Sequence, residues 1–136
     1  MTPPAAREEI PITADEDVVR VRQAVRSYAQ KAKLSLVDQT KLVTATSELA
    51  RNTLTYGGGG TAVVEFLTEG RRSGVRASFQ DDGPGIPDVD LALTDGWTSG
   101  RGMGLGLSGA RRLVDEFTLD TGAGQGTTVT VVKWSR

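Results

Sequence analysis

Four short stretches of the chain carry residue types that could do chemistry together. Glu48 and Asn52 stand four apart, so on a helix a carboxylate and an amide share one face, with Tyr56 one turn further on. Oxygen ligands placed this way suit a hard cation, and the carboxylate is free to take a proton. The same spacing also describes an exposed polar pair on a solvated face. Asp81-Asp82-Gly83-Pro84-Gly85-Ile86 offers an aspartate able to accept from an exocyclic amine, then glycines that let backbone approach a flat ligand. An ordinary acidic turn is the alternative. Gly100-Arg101-Gly102-Met103-Gly104-Leu105-Gly106-Leu107 sets a glycine at every second position ahead of a helix, and amides that turn inward there make an anion site suited to phosphate. No Lys-Ser/Thr follows and the run leaves a loop, so it is neither a P-loop nor a dinucleotide fingerprint. A flexible linker would not ordinarily interleave Met and Leu and feed a patterned helix. Arg101 either reaches a terminal phosphate or is solvated. Gly126-Thr127-Thr128 opens the last strand, where the hydroxyls either touch a phosphate or simply leave a hairpin.

These residues need elements to position them. Ile10-Pro11-Ile12 suits a short edge strand, since a proline without a donor is tolerated at an edge. Thr13-Ala14-Asp15-Glu16 has the spacing of a capping box, and Val18, Val21, Val25, Tyr28, Ala29 and Ala32 recur at helical period to about residue 32. Ser35 opens a second helix over about residues 36–56, stopped by the glycines at 57–60, which read as a helix end and a loose turn. Residues 61–68 and 75–80 read as a hairpin around a polar turn at 69–74. A long loop follows, with one helical turn near 89–93. A third helix runs to about 116, burying Leu107, Ala110, Leu113, Val114 and Phe117, and a second hairpin pairs residues 117–121 with 127–134. The order β-α-α-β-β-loop-α-β-β predicts an α+β fold: a two-layer sandwich of a mixed, mostly antiparallel sheet with helices on one face.

Composition narrows the chemistry. The 136 residues are expected to form one domain, with residues 1–8 flexible. There is no histidine and no cysteine, which removes imidazole bases, phosphohistidine, thiolate nucleophiles and disulfides. Sixteen Lys and Arg against 17 Asp and Glu leave a net charge of −1 with no long like-charge block, so a nucleic-acid partner is not favoured. No apolar run approaches the ~20 residues of a membrane span, and the start lacks a secretion signal, so a cytoplasmic protein is expected. Glycine, at 17 residues, is nearly twice its usual share of roughly 7%. Eight of the 17 fall in the 83–85 turn or in and beside the 96–109 loop.

In order and context, the four stretches resemble the GHKL ATPase superfamily, also called the Bergerat fold, over nearly the whole chain. Ser47-Glu48-Leu49-Ala50-Arg51-Asn52 is similar to its N box, residues 81–86 to its G1 box, residues 100–106 to the G2 box of its ATP lid, and Gly126-Thr127-Thr128 to its last box. The resemblance implies ATP and Mg2+ as cofactors. Asn52 would chelate the magnesium, Asp81 would accept from the adenine amine, and Gly83, Gly85 and Ile86 would make room for the base. Gly100, Gly102, Met103, Gly104, Leu105 and Gly106 would wrap the phosphates with Thr127 and Thr128, while Glu48 would be the general base and Arg101 would offset charge on the γ-phosphate.

Within the superfamily, the lid and following helix, from Asp95-Gly96-Trp97 through Val114-Asp115-Glu116-Phe117, are similar to the anti-sigma-type serine/threonine kinases that act as switch kinases of bacterial stressosomes. That likeness implies transfer of the ATP γ-phosphate to Ser or Thr of STAS-domain partners, alternating with activation of a PP2C-type phosphatase. The alternative is a nucleotide-gated anti-sigma-factor-type binding module with little kinase activity. A histidine often found near the N box is replaced, which argues against a sensor kinase. Monomer and homodimer both remain open.

Overall fold

The computed structural model describes residues 6–86, 93, 106–122 and 124–136. Strand β1 (Ala6–Ile12) is followed by helices α1 (Asp15–Lys31) and α2 (Leu36–Thr55). Strands β2 (Gly60–Glu69) and β3 (Arg72–Asp81), helix α3 (Leu107–Leu113), and strands β4 (Glu116–Thr121) and β5 (Thr127–Trp134) complete the order. The element order matches the sequence reading. The sheet runs β1-β2-β3-β5-β4, and all four ladders are antiparallel, where a mixed sheet was expected. No helix among the described residues is long and apolar enough to cross a membrane.

Period-2 alternation sorts each strand onto two faces. Ile10 and Ile12, Ala62 and Val64, Val75, Ala77 and Phe79, and Val129 and Val131 are buried and in register on the side that meets the helices. Against them α1 turns Val18, Val21, Val25 and Ala29, and α2 turns Leu42, Ala45 and Leu49. Thr46 and Thr53 sit in this apolar layer because their hydroxyls donate to the carbonyls of Leu42 (2.8 Å) and Leu49 (3.0 Å), one turn back. The opposite face mixes polar side chains with the buried Val132 and Trp134. There Glu65 accepts from Arg76 Nε at 2.7 Å, and Trp134 Nε1 donates to Glu116 at 2.7 Å.

Several local expectations shift. The strand at the N-terminus begins at Ala6, paired with Phe66, so residues 6–8 are sheet and not a loose end; the alternation that buries Ile10 and Ile12 extends back through them. The start of α1 moves one residue along. Ala14 is the N-cap and has no side-chain oxygen, so Asp17 serves alone, its Oδ2 accepting from the backbone N–H of Thr13 (2.9 Å) and Ala14 (3.1 Å). At α2 the expected cap holds, Ser35 Oγ accepting from Asp38 N–H at 3.1 Å. The first hairpin closes through two residues, with Gly70 at φ +61° in the position where a tight hairpin requires it. Helix α3 ends early: Val114 is extended, and the Asp115 N–H donates to the Val132 carbonyl, turning the chain into β4. The helical turn expected near 89–93 lies outside the described residues apart from Leu93.

Candidate functional site

The last two turns of α2, the end of β3, the start of β5 and the first residue of α3 converge on a cleft open to solvent. Leu49, Phe79, Leu107 and Val129 give it apolar walls; Asn52, Asp81 and Thr127 supply polar groups. The lining is of the kind that suits a largely apolar ligand with a few hydrogen-bonding positions.

Asp81, at the buried end of β3, is 9% exposed. Its Oδ1 accepts from Gly83 N–H at 2.8 Å, and the backbone N–H of Thr127, its register partner on β5, also favours the charged carboxylate. Burial nevertheless pushes the carboxyl above the usual aspartate range, assisted by the charge of Asp82, while the two N–H groups work against the rise. The turn after it is held on both sides. Tyr56, one helical turn beyond Asn52, donates through its hydroxyl to the Gly85 carbonyl at 3.0 Å. Gly85 has φ +74° and packs directly on the Gly122 carbonyl, a space that no Cβ could occupy.

The residues singled out from the sequence fall into four groups. Asn52, Asp81, Ile86 and Thr127 line the cleft, with Gly83 and Gly85 in its wall. Glu48 stands one turn before Asn52, at the approach and outside the apolar lining, and its carboxylate packs on Gly106, the N-cap of α3 at φ +65°, where a Cβ would come 2.5 Å from Oε2. Thr128 belongs to neither set: it pairs with Gln80 and Asp120 and, next to Thr127 on one strand, projects from the other face of the sheet. Gly100, Arg101, Gly102, Met103, Gly104 and Leu105 lie outside the described residues.

Two functional positions escaped sequence reasoning. The glycines at 57–60 looked like a loose turn, but Gly57 is packed against the aspartate, where a Cβ would lie 2.5 Å from Asp81 Oδ2. Gly60 likewise abuts the Gln80 carbonyl. We expect Gly57→Ala to destabilise the fold by about 1–3 kcal/mol, as overpacking does. Gly109→Ala, on the exposed side of α3 with nothing within 4 Å, should stabilise it by about 0.5–1 kcal/mol. Urea unfolding of both variants checks the contrast, and equal midpoints would remove the steric role of Gly57. The second position is Thr121, whose hydroxyl meets the Ile86 N–H, the Gly126 carbonyl and the Thr127 hydroxyl. Its only sequence signal was register, since it closes the β4–β5 hairpin opposite Thr127.

Residues 37–135 match the family model described as histidine kinase-, DNA gyrase B-, and HSP90-like ATPase. The chain is 40% identical over 125 residues to the serine/threonine-protein kinase RsbT of Bacillus subtilis (strain 168), covering 92% of this chain and 94% of that one. Among solved structures it superposes on the RsbU and RsbW domains of a Mycobacterium tuberculosis protein with a TM-score of 0.64 and 26% identity, over 96% of this chain and 32% of that longer one. The catalytic domain of the histidine kinase ThkA shares the fold, with a TM-score of 0.54 and 17% identity over 93% and 95% of the two chains.

Proposed function

Because the chain belongs to the family of histidine kinase-, DNA gyrase B- and HSP90-like ATPases, we propose that it is an ATP-dependent serine/threonine protein kinase of a partner-switching system. The observation that carries this reading is the likeness to a serine/threonine kinase along nearly the full length of both chains. It is supported by an apolar cleft that ends in a buried carboxylate. Asp81 accepts from the adenine amine while the apolar walls and the Tyr56–Gly85 bond hold the ring's plane. The phosphates extend past Asn52 toward Gly106, and by the likeness to the family's G2 box we assign the remaining phosphate contacts to residues 100–105, Arg101 among them.

The Asn52 amide oxygen is a hard oxygen donor of the kind Mg2+ takes, alongside phosphate oxygens and water, and the Glu48 carboxylate one turn before it is left to take a proton. When bound there, the ion neutralises charge on the phosphate oxygens. Glu48 accepts the proton of the incoming serine or threonine hydroxyl as its oxygen bonds to the γ-phosphorus. The bond from phosphorus to the bridging oxygen breaks and ADP leaves. The absence of histidine excludes transfer to a histidine of this chain, and the likeness to a serine/threonine kinase assigns the acceptor role to a hydroxyl on a partner protein. We assign that role to STAS-domain partners and assign a PP2C-type phosphatase as the alternate partner, all in the cytoplasm.

The test is incubation of the full chain with labelled ATP, Mg2+ and a STAS-domain protein from the same genome. Label on the STAS protein is expected. Tight ATP binding without transfer would replace the kinase with a nucleotide-gated binding module, and free phosphate without labelled protein would replace it with an ATPase.

A further inference from the structure

Thr121 sits behind the cleft, on β4, and does not line it. Its hydroxyl has one proton and two lone pairs, and all three are committed. The Ile86 backbone N–H can only donate, so at 2.9 Å it takes one lone pair. The Gly126 carbonyl can only accept, so at 2.8 Å it takes the proton. What remains for the Thr127 hydroxyl, 2.9 Å away, is the second lone pair, and Thr127 must therefore be the donor in that contact. With its only proton turned back to Thr121, Thr127 Oγ1 presents lone pairs alone to the cleft that it lines with Asp81.

The same hydroxyl fastens the nucleotide-side turn to the β4–β5 hairpin. Gly124 N–H donates to the Pro84 carbonyl at 2.6 Å, and Gly85 and Gly126 pack on the carbonyls of Gly122 and Asp81. Two loops far apart in sequence thus form one wall, with Thr121 at its centre.

We infer that Thr121 is a positioning residue that sets base specificity: by holding the Thr127 proton away from the cleft, it leaves two acceptors, Asp81 and Thr127, facing a purine's 6-position. This rests on the nucleotide reading above. A 6-amino group, carrying two protons, satisfies both acceptors directly or through one water. A 6-oxo group brings lone pairs against lone pairs, and a site built of unpaired acceptors rejects it.

The experiment compares binding of ATP and inosine triphosphate, which carries oxygen in place of the 6-amine, to the full chain and its variants. Thr121→Val keeps the side-chain size and removes the hydroxyl, freeing the Thr127 proton to rotate toward the cleft. The ATP preference over inosine triphosphate is expected to fall about tenfold or more, and Thr121→Ser should restore it. Because both ligands meet the same protein, general loss of folded chain cancels in the ratio. Should Thr121→Val show no thermal transition, Thr121→Cys offers a weaker hydrogen bonder of similar size and should lower the ratio too. A ratio unchanged in Thr121→Val, or in Thr121→Cys where that variant replaces it, overturns the proposal, as does Thr121→Ser behaving like valine. If the unmodified chain binds neither nucleotide, the nucleotide reading falls first and takes this proposal with it.

Discussion

Asp81→Asn is expected to weaken ATP binding by about 10- to 100-fold without lowering the melting temperature of the nucleotide-free protein. The loss follows from the loss of a charge-assisted hydrogen bond, worth about 1.5–3 kcal/mol. An asparagine can keep the Gly83 N–H on its oxygen, but its amide nitrogen then faces either the Thr127 N–H or the adenine amine, donor against donor. Stability responds in the opposite sense. Burial raises the Asp81 carboxyl above its ordinary value of 3.8, so between 3.8 and the raised value the folded chain holds a proton that the unfolded chain has released. Stability contributed by this group therefore falls as pH rises through that window, and at neutral pH the buried charge costs stability. Removing the charge relieves that cost. ATP affinity should itself weaken as pH falls toward the raised value, beginning above the usual carboxylate range, and Asp81→Asn should lose that pH dependence. Isothermal titration across pH together with thermal melts tests both halves. Unchanged affinity would remove Asp81 from base recognition, and a large drop in melting temperature would make it a structural residue.

Asp81 illustrates what a sequence can disclose. An acidic residue at a strand end followed by Gly-Pro-Gly is a local pattern, and so are the Ser35 cap, the period of α1 and the two hairpins; each is written within a few neighbouring residues. Gly57 and Thr121 are different. Gly57 needs to be glycine because of a carboxylate at the far end of β3, and Thr121 matters because β4 pairs with β5 while residues 81–86 fold across both. Those contacts exist only once the sheet order β3-β5-β4 is set. The errors at element ends have a similar origin. A capping signal at Thr13 was overruled by Asp17, which satisfies two backbone donors at once, and α3 was cut short by the Asp115 bond to β5. Thr128 neighbours Thr127 in the Gly-Thr-Thr motif, but strand alternation sends the two hydroxyls to opposite faces.

Glu48→Gln separates holding the nucleotide from moving its phosphate. Glu48 lies outside the apolar lining and rests on Gly106, so neutralising it leaves the base-reading end, Asp81 and the wall behind it, untouched. Glutamine keeps the length and polarity of the side chain that packs on Gly106. What it cannot do is take the hydroxyl proton, because an amide is not a base at neutral pH. Phosphoryl transfer to a STAS-domain partner should therefore fall by about 10²- to 10⁴-fold, with ATP affinity within a few-fold of the unmodified chain. The packing of Glu48 on a glycine explains why a larger residue at 106 would fail for a separate reason: its Cβ would displace the base and would demand a left-handed backbone from a residue with a side chain. Single-turnover transfer under saturating ATP reads the chemical step alone. Transfer at the unmodified rate would strip Glu48 of the base role. A parallel collapse of ATP affinity would place its carboxylate in holding the phosphates and their cation, leaving the proton to pass directly to phosphate oxygen or to solvent.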